Sequence, residues 1–293
     1  MRPLTKLAEA LTASQLWIAL GAASQVFVTA LYHDRGLDDA YLGKATVYAL
    51  AVLCGSVSFY AFHRVSTLWR LLPMLPTKRW RVLHGYQRWL FAMIPLGAAL
   101  AVGFAVQLPM RWWLAVLPAV AFSSLYALPV FRGSRGRDFG AVKLAWLSVG
   151  WVWVCNVVPA LMSANLQGHH IVERLLFILG FALVFDYRDR ALDVRSGVRT
   201  WAPRLGKWGG LAVSASLLLA SLGVSYWYFS GDWGQLFAGL ASGMTTVLTL
   251  PLIAYAYLRA DPGYLYHDLV LDALLLLPAV LLLSLVIFLN SST

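Results

Sequence analysis

Long apolar runs separated by short basic loops constrain this chain more than any motif within it. Nine stretches lie near the roughly 20 residues that a bilayer requires. They run at about 13–32, 44–62, 89–109, 112–131, 141–163, 171–186, 208–230, 235–258 and 269–290. Backbone polar groups in lipid must find partners within the protein, so spans of this length are helices. A membrane barrel would need shorter, alternating segments. The expected fold is all-α, a polytopic membrane protein with nine transmembrane helices. Gln107, Pro109 and Arg111 mark a tight hairpin between the third and fourth spans. Residues 1–293 read as a single integral-membrane domain. Two pseudo-repeated halves, about 10–140 and 141–290, are a further expectation, because the polar segments 63–88 and 186–207 follow the second and sixth spans in related positions.

Composition agrees with lipid as the solvent. Only 12% of residues are charged, against about 25% in a soluble domain. Thirteen Trp and thirteen Tyr suit rings that sit at membrane interfaces. A formal charge of +10 would suggest nucleic acid if it lay on one face, but it lies in loops. With the N-terminus placed inside, all of the 23 Lys and Arg except Arg35, Lys44, Arg111 and Arg174 fall on the inner side. That asymmetry orients the chain in the cell (inner) membrane with a cytoplasmic N-terminus and an outer C-terminus. Membrane lipids are therefore expected partners and nucleic acid is not. The first apolar stretch is long for a signal peptide and reads as a retained helix. Cys54 and Cys155 lie in apolar spans and read as packing residues.

Three carboxylates, Asp186, Asp189 and Asp193, follow the sixth span at i, i+3 and i+7. On a helix they share one face at successive turns. Asp186 ends an apolar run, where an ionisable group needs a partner. Two or three carboxylates with water can hold Mg²⁺, which often completes its shell with ligand phosphates. Arg188, Arg190, Arg195 and Arg199 could add phosphate contacts. The alternative from spacing alone is a charged helix end in which Asp and Arg simply pair.

The string from Phe185-Asp186-Tyr187-Arg188-Asp189-Arg190 to Asp193, followed by Gly197-Val198-Arg199-Thr200 and by Pro203, Leu205 and Gly206, resembles the second aspartate-rich motif of the UbiA-type intramembrane prenyltransferases. The number of spans and the expected inner placement of the motif match that superfamily too. The resemblance implies a prenyltransferase-like bundle that moves a prenyl group from a polyprenyl diphosphate to an aromatic or other lipophilic acceptor. It implies Mg²⁺ as cofactor, with Asp186, Asp189 and Asp193 as catalytic metal ligands. Tyr126, Arg132 and Lys143 are similar to phosphate-contacting positions of the family, with Arg188 and Arg199 beside them. An allylic cation formed by C–O cleavage would favour an aromatic cavity lining, since ring faces attract positive charge.

The first motif of the family, N-D-x-x-D-x-x-x-D, belongs at the inner end of the second span. This chain has Ser58-Phe59-Tyr60-Ala61-Phe62-His63-Arg64-Val65-Ser66-Thr67 there, and no Asp or Glu lies between Lys44 and Arg137. In one reading His63 and Arg64 bind substrate, because Arg holds phosphate directly, and one Mg²⁺ or none suffices. In the other they pair with the acidic helix, leaving a non-catalytic isoprenoid- or lipid-binding membrane protein. A transporter is a third possibility, with little support from broken-span pairs. Asp268 and Asp272 are read as anchors for Arg or Lys, or as groups that orient or deprotonate an acceptor. Lys78-Arg79-Trp80-Arg81 reads first as headgroup contact and second as a diphosphate lid. His169-His170 reads as a solvated outer turn, and Asn156 and Gln107 as packing groups.

Overall fold

A computed structural model describes residues 2–33, 39–71, 77–128, 139–163, 166–195, 200–226, 233–259 and 262–291. Among them there is no strand; apolar composition and backbone satisfaction produce helices throughout. The helices are α1 (Arg2–Ala13), α2 (Leu16–His33), α3 (Asp39–Leu71), α4 (Lys78–Gly85), α5 (Gln87–Ala105), α6 (Met110–Ala127), α7 (Gly140–Val152), α8 (Val158–Met162), α9 (Gly168–Arg195), α10 (Trp201–Tyr226), α11 (Trp233–Leu258) and α12 (Leu277–Ser291). A π-helical turn, Trp153–Val157, joins α7 to α8 as one span, and another, Tyr266–Leu271, precedes the last.

Among the described residues six continuous helices are long and apolar enough to cross a membrane, and α1 with α2, bent by 57°, makes a seventh if the pair is one span. The remaining two expected spans depart from that standard for visible reasons. α6 is only 18 residues long and carries Arg111, Trp112 and Trp113 in its first turn. The last apolar run is broken at residues 274–276, leaving α12 only 15 residues. Conversely, the sixth span does not stop at its charges: α9 runs 28 residues, through all three aspartates.

The break in the last run exposes backbone carbonyls, and α2 supplies their donors. Ser24 and Gln25 both donate to the Leu275 carbonyl, at 3.0 and 2.7 Å. The Trp17 indole donates to Leu269 at 2.9 Å. Irregular backbone at this depth persists because protein, not lipid, surrounds it.

Two close helix pairs frame the bundle, α3 with α5 and α9 with α10. Each has a glycine at the crossing. A Cβ on Gly97 would stand 2.7 Å from the Cys54 carbonyl oxygen of α3, and one on Gly180 would stand 3.0 Å from the Ser214 carbonyl oxygen of α10. Small residues let backbones approach where no hydrophobic force drives helices together. Ser58 reinforces the first pair by donating to the Ile94 carbonyl at 2.7 Å.

The end of the bundle opposite Asp186 is tied by buried polar groups. Glu173 and Arg174, both enclosed, pair with each other. Ser221 donates to Glu173 at 2.9 Å and Arg174 donates to Gln25 at 3.2 Å. Asn156 donates to Thr29 at 2.7 Å, as befits a packing group. His169 and His170 are not a solvated turn. They open α9, where His170 is buried and stacks on Tyr32 at 4.5 Å between ring centroids.

Gly180→Val would push a branched side chain into the α10 backbone. We expect a loss of about 1–3 kcal/mol, read as a lower melting temperature in detergent. Gly103→Ala on α5, whose Cβ would meet nothing within 4 Å, should leave that temperature unchanged or slightly higher.

Candidate functional site

The three aspartates face the bundle at the end of α9, and their partners come from α9 itself and from three other helices. Lys143, in the first turn of α7, donates to Asp186 at 2.9 Å and to Asp193 at 2.8 Å. One ammonium thus bridges carboxylates seven residues apart. The other Asp186 oxygen accepts the Ala202 N–H at 3.4 Å, where the first turn of α10 offers its positive end. Gly206, with φ of +63°, separates that turn from the rest of α10. A left-handed φ there favours glycine.

Asp189 is held differently. Arg188 donates to both of its oxygens, at 2.8 and 3.0 Å, and its third nitrogen reaches Asp268 at 2.8 Å. Arg79 of α4 forms a fork with Asp268 at 2.7 and 3.0 Å and stands 3.9 Å from Asp189. Arg188, Asp189, Arg79 and Asp268 therefore close a ring of alternating charge. Asp268 lies before the last apolar run. Burial alone would raise its carboxyl, but Arg79, Arg188 and Arg64 together hold it below the usual carboxylate range.

The positions of the other sequence candidates are specific. The His63 ring stacks beside Tyr126, at 6.2 Å between ring centroids. Arg64 donates to Gln15 at 3.4 Å and lies over the Trp80 ring at 6.0 Å. It forms no ion pair among the described residues, although Asp189 and Asp268 act on it through space. Arg132 and Arg199 lie outside the described residues. Arg190 turns back to the Tyr187 carbonyl and ring. Asp268 anchors Arg79 and Arg188, whereas Asp272 is buried and its carboxyl accepts no hydrogen bond among the described residues.

Sequence reasoning placed Arg79 among headgroup contacts, yet it is only 6% exposed. The signal was local: α4 buries Arg79 with Trp80 and Leu83 on one face, the stripe of a helix packed against a core. Gln15 was missed altogether. It sits at the α1–α2 break with φ of 60°, buried, and its amide donates to the Thr12 and Ala13 carbonyls.

Beside this charged end is an apolar cavity of about 490 Å³ between α3, α5, α6 and α7. Tyr60, Phe62, Tyr126, Trp146 and Trp151 line its charged end and Trp112 its far end. Val102, Val120 and Phe122 belong to the same wall and are exposed on the bundle's outer surface, so the cavity has a lateral apolar rim. Tyr126 joins the two regions, since it lines the cavity and acts electrostatically on Lys143.

Among the described residues no three of His, Cys, Asp and Glu gather around one point. Asp186 and Asp193 nevertheless converge on a single cationic position, filled by the Lys143 ammonium. Mg²⁺ is commonly held by one or two carboxylates plus ligand phosphates, so this donor set fits one divalent ion with a phosphorylated ligand. The facing stretch of α3 offers His63 and Arg64 instead of carboxylates, which does not fit a second.

No family model matches the sequence, and no curated protein does. Solved structures do. An apo UbiA homologue from Aeropyrum pernix K1 superposes with a TM-score of 0.68, at 16% identity, over 92% of this chain and 97% of that one. The chain has the UbiA-type fold. A UbiA homologue from Archaeoglobus fulgidus gives 0.64 at 13% identity, covering 94% and 99% of the two chains. Its form bound to DMAPP and Mg²⁺ gives 0.61 at 12% identity, covering 93% and 99%. The UbiA-type fold thus extends over more than 90% of the chain, while identity is too low to carry individual roles across.

Lys143→Ala strands two buried carboxylates. Removing one member of such a network costs about 3–5 kcal/mol, which chemical unfolding in detergent should register. Adding Asp186→Asn and Asp193→Asn to Lys143→Ala should recover part of the loss, because the uncompensated charge goes with them.

Proposed function

We propose that the chain transfers a prenyl group from a polyprenyl diphosphate to a lipophilic acceptor within the membrane. The observation that supports this most is the Lys143 bridge between Asp186 and Asp193, one helical turn along α7 from Trp146 and Leu147 of an aromatic cavity. A diphosphate needs cations and donors; a prenyl chain needs an apolar slot; the two requirements meet at Tyr126. The ligand of the Archaeoglobus fulgidus relative, DMAPP with Mg²⁺, has this same division into a charged head and an apolar tail.

In this reading Lys143, Arg64 and Arg188 take the diphosphate oxygens, with Arg79 behind them, and Arg132 and Arg199 are added from the sequence. The C1–O bond breaks and its electron pair leaves with the diphosphate. The allylic cation lies against the faces of aromatic residues such as Phe62 and Tyr126, which attract positive charge. The acceptor bonds to C1 and releases a proton. A single Mg²⁺ held by Asp186 and Asp193, with Asp189 adjacent, would supply neutralising charge to the leaving diphosphate. Arg64 and His63 stand where the related enzymes would place acids for another ion, and Arg binds phosphate without one. The basic loops favour a charged end that faces the cytoplasm.

A second reading has one specific observation in its favour. The closed ring of Arg188, Asp189, Arg79 and Asp268 spends its positive charge on the protein's own carboxylates. A non-catalytic isoprenoid-binding protein would have that economy. Binding and turnover separate the two.

Farnesyl S-thiolodiphosphate should bind the wild-type chain in nanodiscs. Arg64→Ala should weaken it roughly 10- to 100-fold, the value of hydrogen bonds to charged groups. Asp186→Asn with Asp189→Asn, in protein that keeps its melting temperature, should weaken it by at least about 10-fold; unchanged affinity would sink the diphosphate site. A prenylated product from farnesyl diphosphate and membrane lipid extract selects the enzyme, and binding without any product selects the binding protein.

A further inference from the structure

The cavity is largely apolar, and one polar pair in its wall is joined by a hydrogen bond. Trp151 on α7 donates its indole N–H to the Tyr60 hydroxyl oxygen on α3, at 2.7 Å. Both residues line the cavity. An indole has a single hydrogen to give, while a phenol has one to give and two lone pairs. The bond from Trp151 therefore fixes the Tyr60 oxygen and leaves its own hydrogen to spend. Among the described residues nothing accepts that hydrogen: Trp151 is the one hydrogen-bond partner of the Tyr60 hydroxyl.

We propose that Tyr60, oriented by Trp151, is the subsite that holds the acceptor through a neutral oxygen, a hydroxyl or a carbonyl. The inference rests on the prenyl-transfer reading for its role, and on the cavity alone for its binding. A donor in an apolar cavity loses free energy if it meets only hydrocarbon. A ligand with an oxygen at that point is preferred over a hydrocarbon of the same shape. A carboxylate placed here would leave water for a largely apolar wall and would find one neutral hydroxyl to pair with, which disfavours carboxylate-bearing acceptors at this point.

The level in the bundle suits the reaction. Tyr60 and Arg64 are four residues apart on α3, one turn and about 6 Å along the axis, on one face. A diphosphate held by Arg64 and Lys143 with its chain in the cavity has C1 next to its bridging oxygen. An acceptor oxygen anchored one turn further into the cavity keeps the acceptor beside C1.

Three probes of matched shape test this on the full chain in nanodiscs: 4-hexylphenol, hexylbenzene and 4-hexylbenzoate, each corrected for uptake by empty nanodiscs. In the wild type the phenol should bind roughly 5- to 10-fold tighter than hexylbenzene, and the benzoate weaker than the phenol. Tyr60→Phe should erase the preference for the phenol and leave hexylbenzene binding unchanged. Trp151→Phe should reduce the preference. A wild type without the preference, or a Tyr60→Phe variant that keeps it, overturns the subsite. Farnesyl S-thiolodiphosphate binding, measured on the same samples, keeps the two proposals apart. If the diphosphate binds and the phenol preference is missing, the subsite fails alone. If the preference depends on Tyr60 but no diphosphate binds, prenyl transfer fails and the subsite stands.

Discussion

A partly buried ammonium between two carboxylates organises the charged end of this bundle. Lys143 joins α7 to two turns of α9, and Asp186 extends the contact to the first turn of α10. Few ions can be placed beside lipid without such partners, so the rest of the cluster follows the same rule. Arg79 and Arg188 share Asp268, and Arg188 also grips Asp189. The outcome is a site kept nearly neutral by its own side chains. A diphosphate would bind by exchange, taking cations from aspartates that one divalent ion could then occupy.

Under the proposed function, that exchange would let a chain with no acids on the facing part of α3 keep the outline of a two-sided site. His63 and Arg64 occupy that side, and among the described residues Arg64 forms no ion pair with the acidic helix. His63 rests near Tyr126 at the cavity, and Arg64 leans on Gln15 and Trp80. The tether from Arg64 is a neutral amide, which a phosphate can displace at lower cost than a carboxylate. The basic half of the site is thus held ready by weak bonds and the acidic half by strong ones.

Local pattern made much of this legible and long-range pairing did not. The i, i+3, i+7 spacing put Asp186, Asp189 and Asp193 on one helical face, and the resemblance singled out Lys143 and Tyr126. Apolar run length located most spans, yet it could not see the break at 274–276, because the residues there are as apolar as their neighbours. The break survives through Ser24 and Gln25, some 250 positions away in sequence. The same limit hid the partnership of Arg79 with Asp268, 189 residues apart. α9 outran its expected end because charges that pair across the bundle no longer stop a helix at the membrane surface. His170 looked solvated for want of Tyr32, which only the fold brings to it.

The central claim is that the charged end of α9 and α7 receives a diphosphate whose chain lies in the aromatic cavity. An experimental structure of the full chain with farnesyl S-thiolodiphosphate tests it most directly. The account predicts phosphate oxygens within hydrogen-bond distance of Lys143 and Arg64, no more than one metal ion at Asp186 and Asp193, and the farnesyl chain between α3, α5, α6 and α7. Phosphate bound elsewhere, or a Lys143 bridge left intact beside an empty cavity, would contradict it.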